Sequence, residues 1–531
     1  MANTLSLGSG NWGAKESLLL GYYEDGTQFL PETFDVTRAT GGTRVNKDGL
    51  IETPAEIGSE LVVNGNFATD SDWTLGSGWN ISGGSLIASS ASSNSFQTSS
   101  FVLGKIYKAT YSISDYVSGT FRIQVGSGGI GNTNSSNGTF VEYIEYSGSN
   151  FLYLKGSSSF NGSIDNVSVK EYNDKNLARI DYLDDAKGAL LTEPQSTNLV
   201  IQSANLSAGY WVPSQSSLAE GQSSPSADSP LGAYNLIEST SSGQHRLRST
   251  TFPTAAVEST MSVYIKYSTK RFVELKNITS GSRCKFDLLN NVVTQSIGAV
   301  GKIEDAGNGF KRISITYTAT ETTSRVQLNL LGPNQETTYT GNGTDKITVF
   351  GFQVEQANAA GYDGKYATSY IPTIGETQSR NADLVNNGGD VKNFNSEEGV
   401  LFVEIAALDN DCDFILGLFG DTDDQVRIRL NNAIKAQLYV SGVLQTNMTF
   451  STTLTNNHKI AFKYKENDFA LWVDGVEVKT DTNGITLPAN VLTKLNLSNF
   501  NNSSKVEAKT KNVQVFNEAL TDSELAALTT I

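Results

Sequence analysis

A chain of 531 residues is too long for one compact core, and its 49 glycines, 10 prolines and 3 methionines fit many short strands joined by polar turns. Disorder is excluded by 24 Phe, 21 Tyr and 5 Trp spread along it, and a disulfide framework by having two cysteines only. A formal charge of −16, with no dense Lys/Arg cluster in the sequence, argues against nucleic acid and anionic lipid as partners.

The chain opens on "MANTLSLGSGNWGAKESLLLGYY", which has neither a basic leader nor an apolar run of secretory length. No stretch approaches the ~18 apolar residues of a membrane-spanning helix. Synthesis in a reducing cytoplasm without a signal peptide is therefore expected, with Cys284 and Cys412 as buried free thiols and the N-x-S/T triplets as composition alone. Period-two alternation then recurs in three blocks. The first holds "YKATYSIS" (107–114), "GTFRIQVG" (119–126) and "FLYLKG" (151–156). The second holds "MSVYIKYS" (261–268), "KRISITYTA" (311–319) and "SRVQLNLLG" (324–332). The third holds "GVLFVEIAA" (399–407), "HKIAFKYKE" (458–466) and "FALWVDGVEVK" (469–479), where Asp474-Gly475 marks a type I′ hairpin.

Each block closes on a similar strand: 163–172, 346–356 and 510–520. In a sandwich such a strand pairs back near the first. A single short helix is predicted in "LTDSELAALT" (520–529), with Thr521 as N-cap, Glu524 completing a capping box, and Leu525 and Leu528 on one face. The predicted class is all-β: three tandem antiparallel sandwiches of jelly-roll type, an N-terminal anchoring segment and a short C-terminal helix. The boundaries read as 1–57 (anchoring and oligomerisation), 58–173, 174–385 and 386–531.

The opening "NGNFATDSDWTLGSGW" (64–79) and closing "IDNVSVKE" (164–171) of the first block resemble the carbohydrate-binding-module-like jelly rolls of bacteriophage structural proteins. On either side, "FDVTRATGGTRVNKDGLIE" (34–52) and "LARIDYLDDAKGALLTEPQSTNLV" (177–200) look like one motif split by that insertion, similar to an N-terminal segment of tailed-phage virion proteins. "GKYATSYIPTIGETQSRNAD" (364–383) resembles the end of a second family of phage sandwich domains, and the third block looks like a laminin-G/concanavalin-type sandwich. Such folds host lectins, adhesins and purely structural modules alike.

Trp73 and Trp79 are expected in the core, where an indole buries its face and its N–H finds a turn carbonyl. The sheet face of Trp472 is left open by the sequence. Tyr210 and Trp211, in "SAGYWVPS", read either as an exposed stacking surface or as edge-strand packing. With Phe121, Ile123 and Val125 inward, Arg122 and Gln124 face out, and Tyr153 is the aromatic that completes a carbohydrate-binding candidate; the competing reading is an ordinary solvated sheet face. No cofactor is called for. The acidic loops 409–413 and 420–424 are weak Ca²⁺ candidates through Asp421, Asp423 and Asp424, without EF-hand spacing, so an acidic turn is the default. His245 and His458 lie in different blocks, which argues against zinc sites and His-based triads.

The resemblance implies a non-enzymatic structural virion protein of a tailed phage, a head- or tail-fibre component on the virion surface. It would be a homotrimer anchored to other virion proteins through its N-terminal segment, displaying modules for multivalent attachment to cell-surface glycans. The alternatives are a capsid or tail decoration protein without a ligand and a polysaccharide depolymerase, whose groove would hold two carboxylates about 5–10 Å apart.

Overall fold

The computed structural model describes residues 4–24, 29–229, 232–498 and 507–531. Residues 1–3 and 25–28 of the expected anchoring segment lie outside that range. Among the described residues the regular structure is antiparallel strands with one short helix, and the chain divides into two compact units. Residues 55–174 form one unit, and 1–54 together with 175–531 form the other.

In the smaller unit, Ile106–Val125 and Phe151–Asn173 pair along nearly their whole length. Their register breaks between Ser114 and Thr120, where Asp115 and Gly119 have φ of 50° and 78°. A Cβ at Gly119 would sit 2.5 Å from the Phe160 backbone, so this corner needs glycine. Both halves of the folded sheet bury their alternate residues in one core, among them Tyr111, Ile113, Phe121, Ile123, Leu154 and Ile164. The long closing strand pairs with Glu56–Glu60 near the start of the unit.

Trp73 and Trp79 belong to that core, at 8% and 7% exposure. Each indole N–H donates to a carbonyl, Trp73 to Asn64 at 3.1 Å and Trp79 to Ser93 at 2.9 Å. The paired tryptophans of 64–79 therefore seed a hydrophobic core and offer no ring face to solvent.

The larger unit holds two further sandwiches. In the middle one, a six-stranded sheet running from Trp211–Ser214 to Val292–Ile297 packs against another running from Ser216–Gln222 to Val300–Asp305. In the last, five strands between Phe414 and Asn496 face a sheet containing Glu398–Ala407, His458–Lys465, Phe469–Val473 and Ala508–Phe516. Near the N-terminus, the described strands Leu5–Gly8, Leu18–Glu24 and Phe29–Thr37 join the sheet of the last sandwich and do not form a unit of their own. Leu5–Gly8 pairs with Ala508–Phe516, and the alternation of "LSL" puts Leu5 and Leu7 into the core of the last sandwich. The chain ends thus meet in one sheet.

Local chemistry sets the details. Asp474 and Gly475, at φ of 52° and 83°, turn Phe469–Val473 into Val476–Asp481 as a type I′ hairpin demands. The helix Asp522–Thr529 starts at Thr521, whose N–H donates to Glu524 Oε2 at 2.9 Å. Leu525 is buried with Trp472, Phe402 and Phe516, and Leu528 packs against the same cluster, so Trp472 faces the helix. Removing the cap with Thr521→Ala is expected to cost about 1 kcal/mol, read by chemical denaturation of the larger unit.

A buried ionic cluster joins three distant segments of this unit. Arg38, Arg179 and Arg380 are 1%, 0% and 1% exposed. Arg179 reaches Glu193 at 2.8 Å and clamps Asp383 with two guanidinium nitrogens. Arg38 also reaches Asp383, at 2.8 Å, and Arg380 reaches Glu193 at 2.9 Å. Burial alone raises both carboxyls, but the arginine charges overcome it: Arg179 and Arg38 hold Asp383 at about 2, and Arg380 and Arg179 hold Glu193 at about 2. The segments 34–52 and 177–200, which looked like one split motif in sequence, are tied here to each other and to 364–383.

Candidate carbohydrate-binding face

In the smaller unit, "FLYLKG" alternates so that Leu152 and Leu154 are fully buried while Phe151, Tyr153 and Lys155 take the opposite face. Asn94–Thr98 pairs alongside, setting Phe96 beside Tyr153 and Thr98 beside Phe151. On the other flank Gln124 pairs with Tyr153 and Arg122 with Lys155. Phe96, Phe151 and Tyr153 form a half-buried trio with centroids 5.4, 5.9 and 5.8 Å apart. Lys155 Nζ lies 5.2 Å from the Tyr153 ring. Burial, and then the neighbouring Arg122 charge, lower the Lys155 ammonium.

The Arg122 side chain makes no hydrogen bond or ion pair among the described residues. Its donors stay free beside an apolar platform, an arrangement suited to a ring with one apolar face and a hydroxylated rim. Of the residues singled out from sequence, Arg122 and Tyr153 meet here. Gln124 does not serve: it is 3% exposed, and its amide N–H groups donate to Gly126 at 2.9 Å and Ser127 at 2.8 Å, closing the turn after its strand. Phe96 and Phe151 were missed, although the alternation that exposes Tyr153 also exposes Phe151.

Tyr210 and Trp211 are no stacking surface. They are 8% and 3% exposed, within the core of the middle sandwich. Trp211 lies 4.2 Å from Phe352 between centroids and donates to Gln202 O at 2.7 Å. Trp211 is the one buried residue of an edge strand, Trp211–Ser214, and packs inward from the sheet edge as the edge-packing reading has it.

The Ca²⁺ candidates also fall to turn chemistry. Asp421 Oδ1 accepts the N–H groups of Asp423 and Asp424 at 2.8 and 2.9 Å, and Asp424 accepts Ser441 N–H at 2.7 Å. Among the described residues, no group of three acidic, His or Cys side chains is placed to hold a metal. Cys284 and Cys412 are buried and unpaired with each other, and burial pushes both thiols up, Cys412 to about 12.

The larger unit has a cavity of about 210 Å³, lined in part by Tyr264, Tyr366, Tyr370, Asp181, Glu193 and Asp305. Its carboxylates are engaged. Asp181 accepts Val45 N–H at 2.9 Å and Lys509 at 3.1 Å, and Glu193 belongs to the arginine cluster. At Asp305, burial pushes the carboxyl up, but the Gly307 N–H and Lys311 outweigh it and the net shift is down. A glycosidase acid needs the opposite shift.

No family model and no curated protein matches the chain. Among solved structures, one titled "NanB plus Optactamide" is 18% identical over 25% of this chain and 24% of its own, with a TM-score of 0.22. The chain thus spans about a quarter of that protein. Trypanosoma rangeli sialidase in complex with sialic acid is 10% identical, covering 96% of this chain and 87% of that one at a TM-score of 0.21. A Bacteroides ovatus protein, "Xyloglucan PUL GH43B", is 9% identical, covering 91% and 99% at 0.18. Likeness at these TM-scores supports no inference about fold or activity. Among the described residues, no helix is long and apolar enough to cross a membrane, which says nothing of a β-barrel.

Proposed function

We propose that the chain is a non-enzymatic structural virion protein of a tailed bacteriophage, a fibre or appendage component that attaches to cell-surface glycans through the smaller unit. The observation that carries the attachment reading is the aromatic trio Phe96, Phe151 and Tyr153 beside the free guanidinium of Arg122. Three rings on one outward sheet face exceed what a solvated surface calls for, and the adjoining donors give orientation. The virion assignment rests on the resemblance of the three phage-like segments. A homotrimer bound to other virion proteins fits that reading, since repeated copies turn weak single contacts into avid attachment. The engaged carboxylates around the cavity speak against the depolymerase alternative.

Antibody-label imaging of the particle is expected to place the protein on the virion surface. An array of surface glycans is expected to retain the full-length protein on a subset of saccharides. Particle labelling without glycan retention would favour a purely structural decoration role, and no particle labelling would remove the virion reading.

A further inference from the structure

The sequence shows no dense basic run, yet the middle sandwich assembles one across strands. In the sheet from Trp211–Ser214 to Val292–Ile297, Leu247, Leu328, Val273, Leu275 and Cys284 face the core. The residues alternating with them face away. Register places Arg248, Gln327, Lys276 and Arg283 in one outward row. Arg246, Asn329, Glu274 and Lys285 make the next. Strands about 4.8 Å apart thus gather five cations against the single carboxylate of Glu274, on a chain whose formal charge is −16.

Three of the cations have partners within the sandwich: Arg246 Nη1 donates to Gln244 Oε1 at 2.7 Å, Arg283 to Gly281 O at 3.0 Å and Lys285 to Gln335 O at 2.9 Å. Glu274 lies 3.5 Å from Arg283 and accepts Asn329 at 2.7 Å. The side chains of Arg248 and Lys276 make no hydrogen bond or ion pair among the described residues. Arg246 Nε is buried without a hydrogen-bond partner. Nothing in folding calls for holding like charges side by side on a sheet, where they repel. A ligand that neutralises them does.

We propose that this outward face binds an acidic polysaccharide, one bearing carboxylates along its chain. Gln327 and Asn329 are buried beneath the cations and bonded to each other at 2.9 Å, so recognition falls to the cations: the guanidinium fork of Arg248 matches a carboxylate, and Lys276 adds a second charge on the same outward row for the next one along the chain. The two rows carry no aromatic side chain on which bases stack, and the overall negative charge opposes the denser charge of nucleic acid. The site is separate from the aromatic face of the smaller unit and stands whether or not that face takes a saccharide.

The test uses the full-length protein and two forms of one polymer, polygalacturonate and its methyl ester, at low salt. The wild type is expected to bind the acid form at least about tenfold more tightly than the ester, with affinity falling as salt rises. Arg248→Gln/Lys276→Gln should weaken binding to the acid form by about tenfold or more. Lys15→Gln/Lys392→Gln removes the same charge from exposed positions elsewhere and should leave binding unchanged. Circular dichroism and melting of both variants establish that they fold. Equal binding of acid and ester, equal loss in both double variants, or no binding at all would overturn the proposal. So would tighter binding of single-stranded DNA at the same salt, which would assign the face to nucleic acid.

Discussion

Arg179→Met is expected to destabilise the larger unit by about 3–5 kcal/mol, the cost of breaking a buried ionic cluster by removing the member that joins its two carboxylates. Arg179 is 0% exposed and bonds both carboxylates, Asp383 and Glu193. Its Nη1 also donates to Thr43 O at 2.9 Å and to Ser369 Oγ at 2.6 Å, so the substitution removes a donor from three chain segments at once. Arg179→Lys should rescue little, because a point charge cannot fork to both sides. The same cluster sets an acid limit. Asp383 and Glu193 are held at about 2, below their ordinary 3.8 and 4.5. Their contribution is therefore fully present above those ordinary values and is lost as pH falls through about 2. Melting of the larger unit followed from pH 5 to pH 2 should show that loss, and Arg179→Met should flatten it.

Trp79→Ala is expected to cost the smaller unit about 3–5 kcal/mol. The indole sits 5.9 Å from Phe160 and 6.4 Å from Phe121 between centroids, and its loss opens a cavity lined by rings that strand geometry fixes in place. It also leaves the Ser93 carbonyl without its donor. Because residues 55–174 have a core of their own, differential scanning calorimetry should show one transition falling by more than about 10 °C while the other stays put. Movement of both would mean that the two units do not melt separately.

Much of this architecture is readable from alternation. "FRIQVG" and "FLYLKG" give the inward and outward faces of their strands because one side is buried, and the Asp474-Gly475 turn and the Thr521 cap are local chemistry. What stays hidden depends on partners far away in sequence. Arg38 meets Asp383 across 345 positions, and Leu5 meets Val515 across the whole chain, so no local pattern marks either. The sequence leaves Trp211 open between stacking surface and edge packing because its cover, Phe352, lies on a strand far along the chain. The basic face is invisible for the same reason: Arg248, Lys276 and Arg283 become neighbours only through strand order.

Half of the aromatic face was legible and half was not. Tyr153 and Arg122 follow from alternation, whereas Phe96 needs the pairing of Asn94–Thr98 with the long closing strand. Gln124 shows where alternation misleads, since an outward position is still buried when the next turn folds over it.

Titration of the full-length protein and its Phe151→Ala/Tyr153→Ala variant against the saccharides retained on the array addresses the attachment account most directly. Loss of two of the three rings is expected to weaken binding by about tenfold or more, with the melting transition of the smaller unit preserved because both side chains lie outside its core. Undiminished affinity in that variant would contradict the account.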